Sequence, residues 1–236
     1  MKIQRPKKKL ILFFSAIIIC IFIVSQIFSD NKMKKADTYI ETIKLPDPLT
    51  TGKMSVEQAL YQRRSIRNFK NISLTLQELS QILWAAQGIT DKTLNFRTAP
   101  SAGATYPLDL FVAVGNVDSI KQGLYKYNPS NHTLTLIMFG DKRIELANAA
   151  LGQKAITTAA VNIIFTAIVE RTEKRYKERA LQYVYIETGH AAQNVYIQAE
   201  ALNLATVAIG AFYEDKIKKV INTAALPVYI MSIGKK

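Results

Sequence analysis

The sequence predicts a layered α+β domain. Segments with helical spacing and segments with strand spacing alternate irregularly along the 236 residues, which favours helices packed on a sheet over a barrel. The apolar run 161–169 has the length of a strand and almost no polar member, as expected for a central strand buried on both faces. About half of the residues are hydrophobic, which is enough apolar side chains to build such a core.

The N-terminal part of the chain predicts a membrane anchor and a tether. Residues 10–28 carry no charged side chain, and a helix of that length spans roughly 28 Å, about one hydrocarbon core. More positive charge precedes this run, in the basic N-terminus 1–9, than follows it, so an uncleaved single-pass anchor is expected with the domain outside the cytoplasm. Residues 29–52 are polar with scattered prolines and are predicted to be a tether and an extended arm, followed by the folded domain over 53–236.

The formal charge of +13 is concentrated at the N-terminus. Residues 1–36 hold eight Lys or Arg and one acid, a net +7, which leaves +6 for the remainder (13 − 7). This distribution does not favour a nucleic-acid-binding domain, because the excess charge lies largely outside the folded part. The chain has one cysteine and two histidines, so neither an internal disulfide nor a metal site is predicted.

Two capping boxes mark the first two helices of the domain. In each of the segments 55–58 and 75–78, a hydroxyl residue is followed three positions later by Gln or Glu. The first helix is predicted to run to Gln62. The second continues with apolar residues at helical spacing as far as Gly88, which closes it.

The middle of the chain predicts three strands and a helix. Residues 108–115 alternate around β-branched and aromatic side chains and are predicted to form a strand. Two further strand-like runs, 124–127 and 133–137, flank the turn-forming residues 128–132, which indicates a hairpin. A helix is expected over 143–151.

The C-terminal half is dominated by the periodic segment 171–204, which is predicted as one long helix with an apolar stripe. Small residues between 189 and 192 would let another helix approach it closely. The remaining elements are predicted as a strand, a helix and a strand, over 205–209, 214–222 and 228–233.

A run of small residues between two prolines forms the first candidate site. Pro100 and Pro107 each remove a backbone donor and push the preceding residue out of helix, so 96–107 is predicted as an irregular loop. Residues 101–104 leave the backbone almost bare, and a flat ligand could lie against it. The alternative is a turn that binds nothing.

Three arginines and a serine form the second candidate site at the end of the first helix, at Arg63, Arg64, Ser65 and Arg67. Guanidinium groups bind phosphate through paired, charge-assisted hydrogen bonds, so the cluster is a candidate anion site. The alternative is a solvated basic turn that favours the helix C-terminal dipole.

Two further segments add candidate ligand contacts. Gly210 and Ala211 follow a predicted strand and precede a helix, a junction that presents backbone N–H groups. Lys235 and Lys236 offer cations at the C-terminus, or a soluble tail.

Common catalytic motifs are absent: no G-x-G-x-x-G follows a strand, and neither G-x-x-x-x-G-K-[ST] nor G-x-S-x-G occurs. Structural roles are expected for both histidines, because neither has a motif partner for a Ser–His–Asp triad.

Five motifs occur in one order along the domain: R-R-S-I-R-N-F, P-S-A-G-A-T-Y-P, G-L-Y-K-Y-N-P-S-N-H-T-L, E-T-G-H-A-A-Q-N-V-Y and I-G-A-F. Together they resemble the nitroreductase-like flavoprotein superfamily, and within it the SagB-type dehydrogenases. The resemblance implies a nitroreductase-like fold with a central mixed or antiparallel sheet flanked by helices. It also implies a homodimer that binds FMN at the subunit interface.

The resemblance assigns roles to individual positions. The contacts to the FMN phosphate and ribityl chain correspond to Arg63, Arg64, Ser65 and Arg67. The loop against the isoalloxazine ring corresponds to Pro100, Ser101, Ala102 and Gly103. Backbone donors near flavin N5 correspond to Gly210 and Ala211, and a terminal lysine, Lys235 or Lys236, would complete the phosphate site. With the redox chemistry carried by the flavin, a sequence poor in Cys and His is expected.

One departure from the SagB-type branch bears on the reaction. Azoline-oxidising members resemble one another in a Lys-Tyr pair that precedes the apolar stripe of the long helix, where this chain has Arg175 and Tyr176. An arginine stays protonated and cannot readily act as a base, so a general reductase or an uncharacterised oxidoreductase is favoured over azoline oxidation. Tyr176 is the candidate catalytic side chain.

Three hypotheses follow. The first is reduction of nitro or quinone-type small molecules with NAD(P)H. The second is a SagB-like dehydrogenase that oxidises azolines in a peptide and passes electrons to oxygen. The third is a membrane-tethered binding protein that kept the fold and lost the flavin.

Overall fold

The computed structural model describes residues 41–236. The predicted basic N-terminus (1–9), the predicted anchor (10–28) and residues 29–40 of the predicted tether lie outside them and stay predictions. Within 41–236, no helix is both long and apolar enough to cross a membrane.

An antiparallel sheet of seven strands organises the described part of the chain. In chain order the strands are β1 (Thr42–Lys44), β2 (Ile89–Asp91), β3 (Phe96–Arg97), β4 (Leu108–Val114), β5 (Gly123–Asn128), β6 (Thr133–Phe139), β7 (Val161–Ala167), β8 (Leu204–Ile209) and β9 (Leu226–Lys235). The sheet has the order β1-β6-β5-β4-β7-β9-β8, and each neighbouring pair is antiparallel. Strands β2 and β3 form a separate hairpin. The predicted α+β architecture is confirmed, with an antiparallel rather than a mixed sheet.

Helices cover both faces of this sheet. They are α1 (Val56–Gln62), α2 (Leu76–Gln87), α3 (Arg143–Ala149), α4 (Lys154–Thr158), α5 (Glu170–Tyr176), α6 (Ala180–Ala201) and α7 (Glu214–Ile221). Helices α2 and α6 contribute to one core cluster, and α3, α4 and α7 to a second. Strand β4 serves both, because successive side chains point to opposite faces: Leu110 and Val112 join the first cluster, and Phe111 and Ala113 the second.

The local helix signals of the sequence are confirmed. Ser55 accepts the N–H of Gln58 at 3.2 Å, and Thr75 accepts the N–H of Glu78 at 3.1 Å, with the reciprocal bond present in each capping box. The hairpin around 128–132 and the central strand β7 are also where the pattern predicted them. These elements depend on neighbours in sequence, which is why local patterns find them.

The prediction of one helix over 171–204 is wrong. The segment is α5, a 3₁₀ turn over Lys177–Arg179, and then α6, which ends at Ala201 before Leu204 opens β8. Lys177 has φ of 48°, which ends the first helical stretch. The charged residues 170–179 have no apolar stripe to bury, so nothing holds them in line with α6.

The prediction of an irregular loop beginning at 96 is also wrong at its start. Phe96 and Arg97 form β3 and pair with β2.

At the other end of the chain, β9 is longer than the predicted 228–233. The arm residues 42–44 form the edge strand β1 against β6, and Leu45 after them is buried. The compact unit of the described residues begins at Glu41.

Candidate functional site

The segment 63–67, here named the arginine turn, follows the end of α1 and is fixed to the sheet by its backbone. The N–H of Ile66 donates to Thr206 O of β8 at 2.9 Å, and Ser65 and Thr206 form a short parallel bridge. Further on, the N–H of Lys70 donates to Lys235 O of β9 at 3.0 Å. The arginine turn therefore lies along the sheet edge formed by β8.

The arginine side chains of the arginine turn make different contacts. Arg64 Nη1 donates to the carbonyls of Tyr61 and Arg63 at 2.9 and 2.8 Å, which caps the end of α1. The guanidinium of Arg63 lies 5.4 Å from the ring centroid of Tyr196 on α6. Within residues 41–236, no arginine of the turn forms an ion pair with a carboxylate. The turn thus carries uncompensated positive charge.

The two terminal lysines are paired with acids. Lys235 Nζ lies 2.6 Å from Glu78 Oε1, and Lys236 Nζ lies 2.6 Å from Glu200 Oε1. The other carboxylate oxygen of Glu78 accepts the N–H of Thr75 at 2.8 Å in the capping box. The structure therefore ties the Lys235 backbone to Lys70, three residues after the arginine turn, while the Lys235 side chain has its charge already balanced.

The loop between the two prolines has an unusual backbone. Residues Ala102–Ala104 form a 3₁₀ turn, and φ is positive at Gly103, Ala104 and Tyr106, at 58°, 52° and 44°. Positive φ in Ala and Tyr is strained and persists only where surrounding contacts enforce it. One such contact is inside the loop, where Ser101 Oγ accepts the N–H of Tyr106 at 2.9 Å.

Helices α5 and α6 supply the other contacts that hold this loop. Thr172 of α5, which is buried, shares a 2.9 Å hydroxyl hydrogen bond with Thr105. Asn194 of α6 donates to Thr98 O at 3.2 Å. Arg171 donates to Tyr106 O at 3.2 Å.

Arg171 also belongs to an ionic cluster with the sheet. Asp109 of β4 accepts from Arg171 at 2.9 Å and from Lys126 of β5 at 2.8 Å. Burial disfavours the Asp109 carboxylate, but its hydrogen bonds to the two cations outweigh that effect and lower its pKa. The cluster anchors the start of α5 beside the loop.

Arg175 and Tyr176 stand against the same loop. Arg175 Nη1 donates to Gly103 O at 3.4 Å. A Cβ added to Gly103 would lie 2.8 Å from both Arg175 Nη1 and the hydroxyl of Tyr176, so these two groups pack directly on the glycine. The Tyr176 ring meets Tyr183 edge-on at 4.7 Å between centroids. The break between α5 and α6, which the sequence did not predict, is what brings Tyr176 to this position.

A buried acid lies behind the loop. Glu187 of α6 is 2% exposed, and burial raises its pKa to about 7 despite the opposing effects of Ser101, Arg97 and Gln87. Burial likewise lowers the pKa of Arg97, which Glu187 opposes. Sequence reasoning gave Glu187 no role, although the motif E-T-G-H-A-A-Q-N-V-Y contains it.

Helix α6 connects the two candidate segments. Its residues Glu187 and Asn194 adjoin the loop, and Tyr196 adjoins the arginine turn, where its hydroxyl lies 2.9 Å from Ser65 Oγ. Gly210 and Ala211 are exposed beyond the end of β8, four residues after the Thr206 contact of the arginine turn. A Cβ on Gly210 would make only ordinary contact with Tyr229, at 3.5 Å, so the backbone there is open.

Both histidines are away from these segments. His132, in the β5–β6 turn, has its Nδ1 2.9 Å from the Tyr127 hydroxyl, and its Nε2 lies 2.7 Å from Ser80 Oγ and 3.0 Å from Pro46 O. It therefore ties the arm to α2 and β5, the structural role that was predicted. His190 is exposed on α6.

A family model described as the nitroreductase family matches residues 60–235. A protein of Methanocaldococcus jannaschii, described provisionally as a nitroreductase, is 43% identical over 82% of this chain and 96% of its own length. A crystal structure from Ralstonia eutropha with the same provisional description has a TM-score of 0.74 at 27% identity, and covers 85% of this chain and 91% of that chain. The trifolitoxin operon protein TfxC of Rhizobium leguminosarum bv. trifolii is 24% identical over 87% of this chain and 62% of its own length.

Proposed function

The chain belongs to the nitroreductase family, and from that premise we propose that it is an FMN-dependent oxidoreductase that uses NAD(P)H to reduce nitro or quinone-type acceptors. The observation that carries this proposal is the charge state of the arginine turn. Its arginines have no carboxylate partner within 41–236, whereas Lys235 and Lys236 are paired with Glu78 and Glu200. A phosphate dianion is the kind of ligand that such a turn would bind.

The residues fit FMN in their donor chemistry. Arg63 and Arg67 would pair with the phosphate and Ser65 would add a hydroxyl, while Arg64 holds the helix end. Lys235 and Lys236 would lie outside the first contacts, because each is matched by an acid. FMN supplies two-electron redox chemistry when bound, which explains why the site needs neither cysteine nor metal.

The loop fits a flat ring system for a different reason. Pro100 and Gly103 are exposed, and Ser101 and Ala102 between them have short side chains, so the backbone is open to a planar ligand. Its strained conformation is enforced by the Thr172 bond to Thr105 and by the Ser101 bond to Tyr106, so these residues would keep the surface fixed as a ligand comes and goes. Gly210 and Ala211 would offer their N–H groups where negative charge develops on reduction.

The substrate side of the proposed site is formed by Arg175 and Tyr176. The Tyr176 hydroxyl packs on Gly103 and would donate a proton to a reduced acceptor. Arg175 would attract the partly negative oxygens of an acceptor such as a nitro group, and it cannot remove a proton. This combination supports reduction of an acceptor over oxidation of an azoline.

We propose a homodimer as the working form. Large apolar side chains are exposed on adjoining helices α1 and α6, among them Leu60, Tyr61, Leu181, Tyr185 and Ile186. An apolar surface spread over two packed helices is typical of a subunit interface. Leu60 and Tyr61 of this set lie just before the arginine turn, so a second subunit seated there could complete the flavin site.

A spectrum of the purified full chain followed by anaerobic titration tests the proposed function. We expect flavin absorbance with about one FMN per chain, and bleaching of that absorbance by NADH or NADPH. A colourless protein that takes up no FMN would instead favour the flavin-free binding protein.

A second candidate function is a SagB-like dehydrogenase that oxidises azolines in a peptide and uses oxygen. The observation that favours it is the similarity to TfxC over 87% of this chain. The same anaerobic experiment separates the two candidates, because an azoline peptide would then bleach the flavin and NAD(P)H would not.

A further inference from the structure

Tyr196 of α6 joins three segments of the candidate site through one oxygen atom. Its hydroxyl accepts the N–H of Ala208 in β8 at 2.9 Å, and it lies 2.9 Å from Ser65 Oγ in the arginine turn. The ring of the same residue lies under the guanidinium of Arg63, at 5.4 Å from centroid to Cζ. Neither the motif analysis nor the family resemblance assigns Tyr196 a role.

The donor and acceptor roles in this chain follow from chemistry. The Ala208 N–H can only donate, so the Tyr196 oxygen accepts it. Among residues 41–236, Ser65 Oγ at 2.9 Å is the one acceptor in reach of the Tyr196 hydroxyl hydrogen, so the arrangement that pairs every polar group has Tyr196 donating to Ser65. With Oγ occupied as an acceptor, the Ser65 hydroxyl hydrogen is left to donate to a third group. Ser65 is exposed, so that group can be a ligand.

The ring and the hydroxyl of Tyr196 act on different members of the turn. A guanidinium held over an aromatic face loses freedom before any ligand arrives, which lowers the entropy that binding must remove. The backbone of the turn is already fixed by the bond from Ile66 N–H to Thr206 O. Tyr196 therefore adds order at the side-chain level, where an anion would be recognised.

We propose that Tyr196 is a positioning residue that makes the arginine turn selective for a ligand ending in a phosphate monoester. The Tyr196 hydroxyl orients Ser65 as a hydrogen-bond donor, and the Tyr196 ring orients the guanidinium of Arg63. Neither Ser65 nor Arg63 touches the reacting atoms. This inference rests on the proposed function, because it takes FMN as the phosphate ligand and riboflavin as the matched ligand without phosphate.

Titration of the flavin-free full chain with FMN and with riboflavin, followed by flavin fluorescence, tests this. Y196F keeps the ring and removes the oxygen, so FMN affinity should fall about fivefold, as for loss of one hydrogen bond, while riboflavin affinity stays within about twofold. S65A should give the same loss. The double variant should be no weaker than either single variant, because both changes break one chain of bonds. Y196L, which also removes the ring from Arg63, should weaken FMN binding further.

Y125F is the matched structural control. Tyr125 is buried in β5, and its hydroxyl donates to Lys121 O at 2.9 Å, so this variant also loses one tyrosine hydrogen bond, away from the turn. If Tyr196 were only structural, Y196F would resemble Y125F and the ratio of FMN to riboflavin affinity would not change. An unchanged ratio, or losses in Y196F and S65A that multiply, would overturn this inference alone. A wild-type chain that binds neither flavin would overturn the proposed function and this inference together.

Discussion

Arg97 donates a 2.7 Å hydrogen bond to the side-chain oxygen of Gln87, and this pair encloses the carboxyl of Glu187 behind the Pro100–Pro107 loop. The Gln87 Nε2 and Glu187 Oε1 atoms are buried without a hydrogen-bond partner among the described residues. A buried polar group without a partner is destabilising, and the charged form of an acid especially so. The Glu187 carboxyl is therefore accommodated best in its protonated, neutral form.

The Glu187 carboxyl should make the protein less stable as pH rises. Its folded pKa of about 7 lies above the ordinary 4.5, so the native state keeps a proton that the unfolded chain has lost. This contribution to stability is full below pH 4.5 and is lost as pH rises through 7. E187Q should remove roughly 2–3 kcal/mol of pH dependence between pH 5 and 8, since one pKa unit is worth about 1.4 kcal/mol.

Urea denaturation of wild type and E187Q across that pH range measures the difference. E173Q is the control, because Glu173 is an exposed acid on α5 and its loss should leave the pH profile nearly unchanged. A profile for E187Q that runs parallel to that of the wild type would mean that Glu187 does not hold this proton.

His132 should give the opposite pH dependence. Burial lowers its pKa below the ordinary 6.5, and its Nδ1 faces the Tyr127 hydroxyl while its Nε2 faces Pro46 O. The unfolded chain therefore binds the proton first, so this stabilisation is present above pH 6.5 and is lost as pH falls through the folded pKa. Acid should release the arm before it unfolds the sheet.

Hydrogen exchange at the Leu45 amide reports this release, because that N–H donates to His132 O at 3.1 Å. Its protection factor should fall in acid while protection in β7 persists. H132N, whose asparagine tolerates φ of 51°, should lose this pH dependence, and H190N on the exposed face of α6 should retain it. Constant protection at Leu45 from pH 7.5 to 5.5 would contradict the assignment.

Gly103 should be needed for activity more than for stability. Alanine at φ of 58° is strained by roughly 1–2 kcal/mol, and its Cβ would displace Arg175 and Tyr176. G152A is the matched control, since Gly152 has φ of 73° and nothing lies within 4 Å of its added Cβ. Both variants should lose similar stability in urea, and only G103A should lose NAD(P)H-dependent turnover. Equal losses of turnover in the two variants would remove Arg175 and Tyr176 from the substrate side.

Features that depend on residues close together in sequence could be predicted, and features that depend on residues far apart in sequence could not. Capping boxes such as Ser55 with Gln58 are complete within four residues, so the sequence shows both partners at once. The partner of Lys235 is Glu78, 157 residues away, and no local pattern reveals that its charge is already balanced. Glu187 was missed for the same reason, because its burial depends on α2, β3 and the loop together.

The break between α5 and α6 shows a second limit of sequence patterns. Residues 171–180 include good helix formers, and intrinsic helix propensity alone continues the helix through them. Contacts from Arg171 to Asp109 and from Arg175 to Gly103 instead hold α5 against the loop. Tertiary contacts outweigh local propensity there, and they create the position of Tyr176 on which the substrate side of the site depends.

The arginines of the turn should contribute unequally to FMN binding. Arg64 is occupied by the carbonyls of Tyr61 and Arg63, and Lys235 is occupied by Glu78. Arg63 and Arg67 remain for the phosphate, and charge-assisted bonds of roughly 1.5–3 kcal/mol each predict that R63A and R67A weaken FMN binding about tenfold to a hundredfold. R64A and K235A should change FMN affinity by less than about threefold, because Arg64 already donates to two carbonyls and the Lys235 charge is already paired with Glu78. Riboflavin is the internal control, since without a phosphate its affinity should be nearly the same in all four variants. Tight FMN binding retained in both R63A and R67A, or a larger loss in K235A than in R63A, would move the phosphate from the arginine turn to the C-terminal end of β9.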